Sequence, residues 1–460
     1  MFESDSTIAA ISTAPGASGI GIIRISGSDA FSVADKIFKA KNPEKRISKQ
    51  KSHTIHYGWI YDENEPVDEV LVMVMRSPHT YTGEDTVEID CHGGIYSTRR
   101  VLDTVIKAGA DIAEPGEFTK RAFLNGRIDL SRAEAVMDVI ESKNEYALKS
   151  SLKHLGGMVY TKIEDIRKRI LYEIAFIESA LDDPEHYSLD DYKSELDKTL
   201  DDILKELNEL LSHSNSGKFI REGIKTVILG KPNAGKSSLM NILTGEEKAI
   251  VTDIAGTTRD TLDEYIDLNG ITLHLIDTAG IRQTDDTVEK IGVEKAIKAA
   301  EEADLTLFVM DSSTVPDEND RYIIDLLNDR KAVILYNKTD LDAKCDIEEI
   351  RKMTSHMVIP VSMKEMTGLS DLEDEIKRLF FEGSISVNDQ LYITNARQLK
   401  AVKDSLNCLK LVKEGIENDM PEDFLSIDLR DACECLGYIT GDSAGEDIVD
   451  EIFSRFCMGK

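Results

Sequence analysis

The chain has 460 residues, 41% of them hydrophobic, and 86 acidic against 55 basic side chains, for a formal net charge of −31. That length exceeds one ordinary core and predicts two to three domains, while the apolar fraction argues against long disorder. The charge excludes a protein that wraps nucleic acid over a broad basic face. It leaves room only for a local basic patch, or for a second protein that supplies most of the grip.

The chain opens on acidic Met1-Phe2-Glu3, unlike a secretory signal. Across residues 7–120 short β-rich runs alternate with Gly and Pro. Strands are predicted at 21–26, 70–75 and 81–90, and a helix at 98–108, so this part reads as α+β. From 121 to 213 Gly and Pro become scarce, and Ile163, Ile166, Ile170, Ile174 and Ile177 recur at helical spacing, which predicts a bundle of long helices broken near Pro184. Residues 223–382 alternate apolar strands with charged helices. Beyond Asn388 helical periodicity resumes through Leu399, Val402, Leu406 and Leu409. The economical reading inserts the α/β domain into one helical domain. The alternative, two separate helical domains, leaves each half a small core. The expected boundaries are 1–119, 120–217, 218–383 and 384–460. No apolar run is long enough to span a bilayer. The six cysteines suit a reducing cytoplasm rather than a disulfide framework. Cys433 and Cys435 face apart on a helix, and Cys91-His92 has no second ligand pair of matching spacing, so neither predicts a metal site.

The chemistry concentrates in the α/β part. The apolar strand at 225–229 leads into Gly230-Lys231-Pro232-Asn233-Ala234-Gly235-Lys236-Ser237-Ser238, which fits G-x-x-x-x-G-K-[ST] and opens a helix. Glycines let backbone N–H groups curl around a β-phosphate, Lys236 reaches the β- and γ-oxygens, and Ser237 ligates Mg²⁺. Asp277-Thr278-Ala279-Gly280 follows a second strand; its aspartate would hold Mg²⁺ through water and its glycine would sense the γ-phosphate. Asn337-Lys338-Thr339-Asp340 follows a third strand and reads the base, because Asp340 can accept from both N1–H and the exocyclic amine of guanine. Ser362-Met363-Lys364 would close over that base. Four ordered matches on strand ends predict a GTP-binding and GTP-hydrolysing domain of Ras-like type. One group is missing: Ile281 stands where Ras-like enzymes carry a water-orienting glutamine. Catalytic help must therefore come from elsewhere in the chain, from a partner, or from a cation.

Thr252-Asp253-Ile254-Ala255-Gly256-Thr257-Thr258, together with Asn233, resembles switch I of the TrmE-Era-like GTPases, which are activated by potassium and dimerisation. The similarity extends through residues 7–27, 82–85, 91–94 (Cys-His-Gly-Gly) and 114–127, to the tail Phe456-Cys457-Met458-Gly459-Lys460. Over its whole length the chain resembles the MnmE (TrmE) family of tRNA modification GTPases. That resemblance implies an N-terminal tetrahydrofolate-binding, dimerising domain and a helical domain with the G domain inserted. It implies a reaction in which a flavin-dependent partner, MnmG (GidA), and this chain install aminomethyl or carboxymethylaminomethyl groups on C5 of the tRNA wobble uridine. It further implies K⁺ held by Asn233 with Thr252, Ile254 and Thr257, Mg²⁺ between Ser237 and Thr258, and water positioned by Glu289. A 5-formyl- or 5,10-methylene-tetrahydrofolate would meet Arg24, Glu88, Arg127 and Lys460, and Cys457 becomes a candidate for the modification chemistry. Arg127 stands where some members have lysine, and Met458 where isoleucine is usual. A GTP-dependent switch or ribosome-assembly factor would share the G domain. A folate enzyme with an accessory G domain is a third reading. The N-terminal segment and the tail favour the modification GTPase.

Overall fold

A computed structural model of the chain describes residues 6–187, 189, 192–212, 214–245, 249–250, 264–276, 300–381, 393 and 395–459. They divide into two compact units, one built from Met1–Met137, His154–Ala175 and Leu429–Lys460, the other from Asp138–Lys153 and Phe176–Asp428.

In the first unit the chain runs β1 (Ile8–Ile11), β2 (Gly21–Ser26), α1 (Ala30–Ile37), β3 (Phe38–Ala40), β4 (Thr54–Asp62), β5 (Glu65–Met75), β6 (Thr86–Cys91), α2 (Ile95–Lys107) and β7 (Asp111–Ile112). The strands form one sheet in the order β3-β4-β5-β6-β2-β1-β7. All neighbours are antiparallel except β1 and β7. Successive side chains of a strand point to opposite faces, and the sequence exploits this. Ile23, Ile25, Val72, Val74, Val87 and Ile89 are fully buried and pack with Ala34, Val101 and Val105 of α1 and α2. The alternate residues, Arg24, Glu88 and Asp90 among them, are left for the other face. The register sets Arg24 opposite Glu88. Part of that second face is covered, because Ile8 and Ala10 cluster with Ala113, Phe118 and Tyr81.

The strand predicted at 81–90 begins only at Thr86. Short polar side chains capture the backbone before it: Thr82 Oγ1 accepts from Glu84 N (3.2 Å), Thr80 Oγ1 donates to the Glu84 carbonyl (2.7 Å), and Asp85 Oδ1 accepts from Ser77 N (2.9 Å). Such local bonds compete with a sheet ladder and hold a turn instead.

After β7 come α3 (Glu117–Leu124), α4 (Leu130–Ile140), α5 (Glu145–Leu155) and α6 (Met158–Asp182), then α7 (Tyr192–Ser212) and α8 (Ser214–Glu222). The expected long helices are α6 and α7, which follow three shorter ones. Next come β8 (Ile224–Leu229), α9 (Lys236–Leu243), β9 (Ala249–Ile250), β10 (Glu264–Leu268), β11 (Ile271–Leu275), β12 (Leu305–Asp311), α10 (Glu318–Leu327), β13 (Ala332–Asn337), α11 (Ile347–Met353), β14 (Met357–Pro360) and α12 (Leu369–Phe381). The chain ends on α13 (Ala396–Glu417), α14 (Glu422–Thr440) and α15 (Glu446–Ser454). The second sheet has the order β14-β13-β12-β8-β11-β10-β9, parallel from β14 to β11, with β10 and β9 antiparallel. Its strands β12 and β13 are mostly apolar and buried along almost their whole length, as a sheet with two covered faces requires. Beside it, α7 buries Leu196, Leu200, Ile203, Leu207 and Leu210 at alternating four- and three-residue steps, and Lys413 of α13 pairs with Asp201 of α7 at 2.5 Å.

In the first unit Arg121 is 3% exposed. It donates to the Ser6 carbonyl (2.8 Å), to Glu117 Oε1 (2.8 Å) and to Glu84 Oε1 (3.3 Å). Arg121→Met leaves both carboxylates without their cation and is expected to cost about 3 kcal/mol, the low end for a broken buried pair because each glutamate keeps some water. Urea unfolding checks this, and an unchanged midpoint would refute it.

Candidate functional site

The phosphate loop hangs from the C-terminal end of β8, which lies between β12 and β11. Two of its glycines are obligatory. A Cβ on Gly230 (φ +146°) would sit 2.3 Å from the Val309 carbonyl oxygen, and one on Gly235 (φ +108°) 2.1 Å from Asn337 Nδ2. Asn233 also adopts positive φ, +62°, a conformation asparagine tolerates better than most residues. Helix α9 then starts at Lys236 with Gly235 as its cap, so no side chain occupies the first-turn N–H groups. Lys236 Nζ donates to the carbonyls of Gly230 (2.8 Å) and Lys231 (2.6 Å), and burial pushes its pKa down. Ser237 and Ser238 are exposed at the loop mouth.

Asn337 ends β13 and is 2% exposed. Its Nδ2 donates to the Ala234 carbonyl at 2.8 Å, and its Oδ1 accepts from Met363 N at 3.2 Å. One side chain thus ties the phosphate loop to the loop after β14. Asp340 Oδ1 accepts from Ser362 Oγ at 2.8 Å, and Lys364 Nζ stands 4.0 Å from Asp340 Oδ2. Lys338 takes φ +66° and pairs with Asp311 Oδ2 at 2.5 Å. Burial disfavours the Asp311 carboxylate, but the bonds from Lys338 and Ser313 outweigh it and hold the group below the usual range. The structure therefore gathers Asn233, Ala234, Gly235, Lys236, Asn337, Lys338, Asp340, Ser362, Met363 and Lys364 on loops from the ends of β8, β13 and β14, which the Asn337 bonds join across β12. Thr252, Asp253, Ile254, Ala255, Gly256, Thr257, Thr258, Asp277, Thr278, Ala279, Gly280, Glu289 and Lys460 lie outside the described residues.

A second cluster forms in the first unit. Arg24 Nε donates to Glu88 Oε1 at 2.7 Å and Nη1 to the Gly459 carbonyl at 3.4 Å. The Arg24 guanidinium lies 5.2 Å from the Tyr81 ring centroid and 5.6 Å from that of Phe118; Arg127 lies 4.9 Å from Tyr81. Tyr81 and Phe118 are thus aromatic walls that motif reading missed, since no spacing rule marks them. Asp90, two residues from Glu88 on the same sheet face, has a buried Oδ1 with no hydrogen-bond partner. Burial, then the neighbouring Glu88 charge, pushes its pKa up. The C-terminal tail is pinned here: Ser12 Oγ donates to the Gly459 carbonyl (3.0 Å) and Gly116 N to the Cys457 carbonyl (3.3 Å). Cys457 carries an exposed free thiol. Cys91, by contrast, is buried, donates to the Gly21 carbonyl (3.3 Å) and has its pKa pushed up to about 12 by burial.

Sequence reading also missed Lys231. Its Nζ lies 2.6 Å from both Asp317 Oδ2 and Asp320 Oδ2, the two carboxylates that build the capping box of α10. The same residue's carbonyl accepts from Lys236, so α10 steadies the phosphate lysine through Lys231. Lys231→Gln is expected to weaken GDP and GTP binding about tenfold, roughly 1.4 kcal/mol, with kcat retained and affinity restored by Lys231→Arg. Fluorescent-nucleotide titration checks it; unaltered affinity would refute the tie.

Family models cover both parts of the chain: the GTP-binding protein TrmE N-terminus matches residues 7–127, and the MnmE helical domain matches residues 130–457. The tRNA modification GTPase MnmE of Lachnoclostridium phytofermentans is 56% identical over 99% of both chains. That of Acetivibrio thermocellus is 49% identical over 100% of both, and that of Listeria welshimeri 46% over 99% of both. The helical-domain match brackets the parallel sheet and its phosphate loop, so the G domain is an insertion within the helical domain. With the nucleotide loops, the tail and full-length identity in agreement, the chain belongs to the MnmE family of tRNA modification GTPases.

Proposed function

We propose that this chain hydrolyses GTP and, with a flavin-dependent partner of the MnmG (GidA) type, installs aminomethyl or carboxymethylaminomethyl groups on C5 of the tRNA wobble uridine. The observation that carries the nucleotide half is the Asn337 tie, which holds phosphate loop and base loop in one frame. The modification half rests on full-length similarity to tRNA modification GTPases.

Loop N–H groups from Asn233 to Ser238 and the α9 N-terminus bind the β-phosphate. Lys236 exchanges two neutral carbonyls for phosphate oxygens, a stronger charge-assisted partner. Asp340, already oriented by Ser362, accepts the two guanine N–H donors, and Lys338, fixed by Asp311, flanks the base. Ser237 and Thr258 would hold Mg²⁺, which supplies charge neutralisation to the phosphates. Asn233, with Thr252, Ile254 and Thr257, would hold K⁺; Asn233 is exposed in a left-handed turn of the phosphate loop. When bound, K⁺ supplies the fixed positive charge beside the β–γ bridge that an arginine supplies elsewhere. Glu289 positions the attacking water, in place of the glutamine that Ile281 displaces.

The Arg24 cluster fits a reduced folate. Tyr81 and Phe118 offer flat apolar walls, Glu88 and the unpartnered Asp90 Oδ1 can accept from ring N–H groups, and Arg127 and Lys460 can pair with a glutamate tail. A bound 5-formyl- or 5,10-methylene-tetrahydrofolate supplies a one-carbon unit. This chain's residues orient it, and Cys457 stands two residues from the carbonyl that Arg24 engages. The chain works as a homodimer formed through the N-terminal domain. Cytoplasmic location accords with six free thiols, and among the described residues no helix is long and apolar enough to cross a membrane.

GTP turnover at fixed ionic strength in KCl and in NaCl, across protein concentrations, tests the mechanism. Potassium is expected to accelerate wild-type turnover at least tenfold, and Glu289→Ala to abolish that response. Equal slow rates in the two salts would refute the cation role. Nucleoside analysis of tRNA from cells lacking the gene tests the modification, and an unchanged wobble profile would sink it.

A further inference from the structure

We propose that the connection from β3 to β4 is a phosphate-docking surface for tRNA, an inference that rests on the function proposed above. Residues 39–51 carry six cations, Lys39, Lys41, Lys45, Arg46, Lys49 and Lys51, against a single carboxylate, Glu44, in a chain whose net charge is −31. All but the half-buried Lys45 are exposed.

These charges are not neutralised by the fold. Several cations elsewhere are paired, as at Lys107–Asp62, Arg121–Glu84 and Lys231–Asp320. Among the described residues none of the six forms an ion pair. The neighbouring acid that could serve them, Asp35, is engaged by the backbone: its carboxylate accepts from Ile47 N (2.5 Å), Ser48 N (3.4 Å) and Ser48 Oγ. Six like charges gathered in one short segment repel one another, and the chain nevertheless holds that segment with fixed hydrogen bonds. Ile47 is fully buried beneath them. Arg76 reaches from the end of β5 to the carbonyls of Ser48 (2.6 Å) and Gln50 (3.0 Å), and Gln50 Nε2 donates to the Arg46 carbonyl (2.7 Å). Lys39 Nζ lies 4.1 Å from the Tyr61 ring centroid. A pre-ordered surface binds a polyanion without first losing loop entropy.

The plainer account is edge protection, since β3 ends the sheet and edge lysines block further strand pairing. Only Lys39 lies in that strand, so the other five need another reason. An anionic membrane fits poorly: Ala40, Pro43 and buried Ile47 are the only apolar residues of the segment, and none offers bulk to enter a bilayer. A phosphodiester backbone fits well, because on a chain of net charge −31 a cluster of unpaired cations favours one approach for a polyanion. The patch lies three and four strands from the Glu88 and Arg24 strands, about 14–19 Å at sheet spacing, a short span for a tRNA.

The test compares the full-length wild type with K41Q/K45Q/R46Q/K49Q, using unfractionated tRNA and a salt titration. The expected result is an affinity loss of tenfold or more and a log–log salt slope shallower by about 3, with GTP turnover and thermal midpoint unchanged. The charge-conserving set K41R/K45R/K49R is expected to bind like wild type. Should the glutamine variant keep wild-type affinity and slope, the patch inference is overturned while the tRNA function stands. Loss of binding by the folded arginine set would overturn it also. If wild type itself binds no tRNA, the patch inference falls, while the modification function is judged by the nucleoside analysis above. Anionic phospholipid vesicles that bind wild type but not the variant, with tRNA binding equal in both, would replace tRNA by a membrane surface.

Discussion

Asn337 sits at the C-terminal end of a strand whose every residue is buried, and its amide has to be satisfied inside the protein. The donor goes to Ala234 and the acceptor takes Met363 N. Leaving either unmade would cost about 1–3 kcal/mol. That constraint explains other residues in turn. Gly235 lacks a Cβ because Asn337 Nδ2 occupies the place where one would be. With Gly235 fixed, the first turn of α9 begins beside Ala234, and Lys236 finds the carbonyls of Gly230 and Lys231 within reach. The crevice beyond the carboxyl ends of parallel strands is where such sheets receive ligands. Here a buried amide determines its shape.

The parts legible in the sequence are those whose chemistry forces a local pattern. A phosphate loop needs its glycines, lysine and serine at fixed offsets, and an apolar strand must precede it, so residues 225–238 could be read directly. The β-rich runs at 21–26 and 70–75 were legible as strands as well, and they fall in β2 and β5. What escaped depends on pairing distant in sequence. Arg24 and Glu88 were named together only through the family resemblance, and their pairing spans 64 positions; Lys231 meets Asp320 across 89, and both acids look like ordinary surface charges until register or helix placement is known. Asn337 hides in another way. Its motif names it as a base reader, and nothing local reveals that its side chain joins two loops. The turn at 81–85 was misread because β-branched threonines suggest a strand, whereas their hydroxyls bond the local backbone.

The two units use charge differently. In the nucleotide unit, cations near the site are held by carboxylates: Lys231 by two capping acids and Lys338 by Asp311. These pairs orient functional groups at little net electrostatic gain, since pairing offsets desolvation. In the first unit the Arg24 guanidinium is shared among a carboxylate, a tail carbonyl and two rings, while a nearby carboxylate oxygen on Asp90 has no partner. Structure alone gives no reason to keep that oxygen buried and unbonded. A ligand with N–H donors does.

How a nucleotide site influences the rest of the chain is constrained by residues 138–153, which belong to the unit containing the G domain although the chain before and after them does not. Asn144 Nδ2 donates to Thr272 Oγ1 (2.6 Å) on β11 and to the Ile220 carbonyl (3.3 Å) on α8, while Asn144 Oδ1 accepts from Ala147 N (2.6 Å). Lys143 Nζ sits 3.2 Å from the centroid of Tyr265 on β10, and Arg221 pairs with Asp138 at 3.0 Å. The turn joining β10 to β11 contains Gly270, at φ +91°, where a Cβ would strike the Tyr146 ring at 2.2 Å. The hairpin and the start of α5 are therefore locked by buried polar bonds and by direct steric fit. A shift of the hairpin has to carry residues 138–153 with it, or leave the buried Asn144 amide unsatisfied. Close-packed contacts of this kind resist continuous deformation, so the hairpin and residues 138–153 keep their fit as one piece.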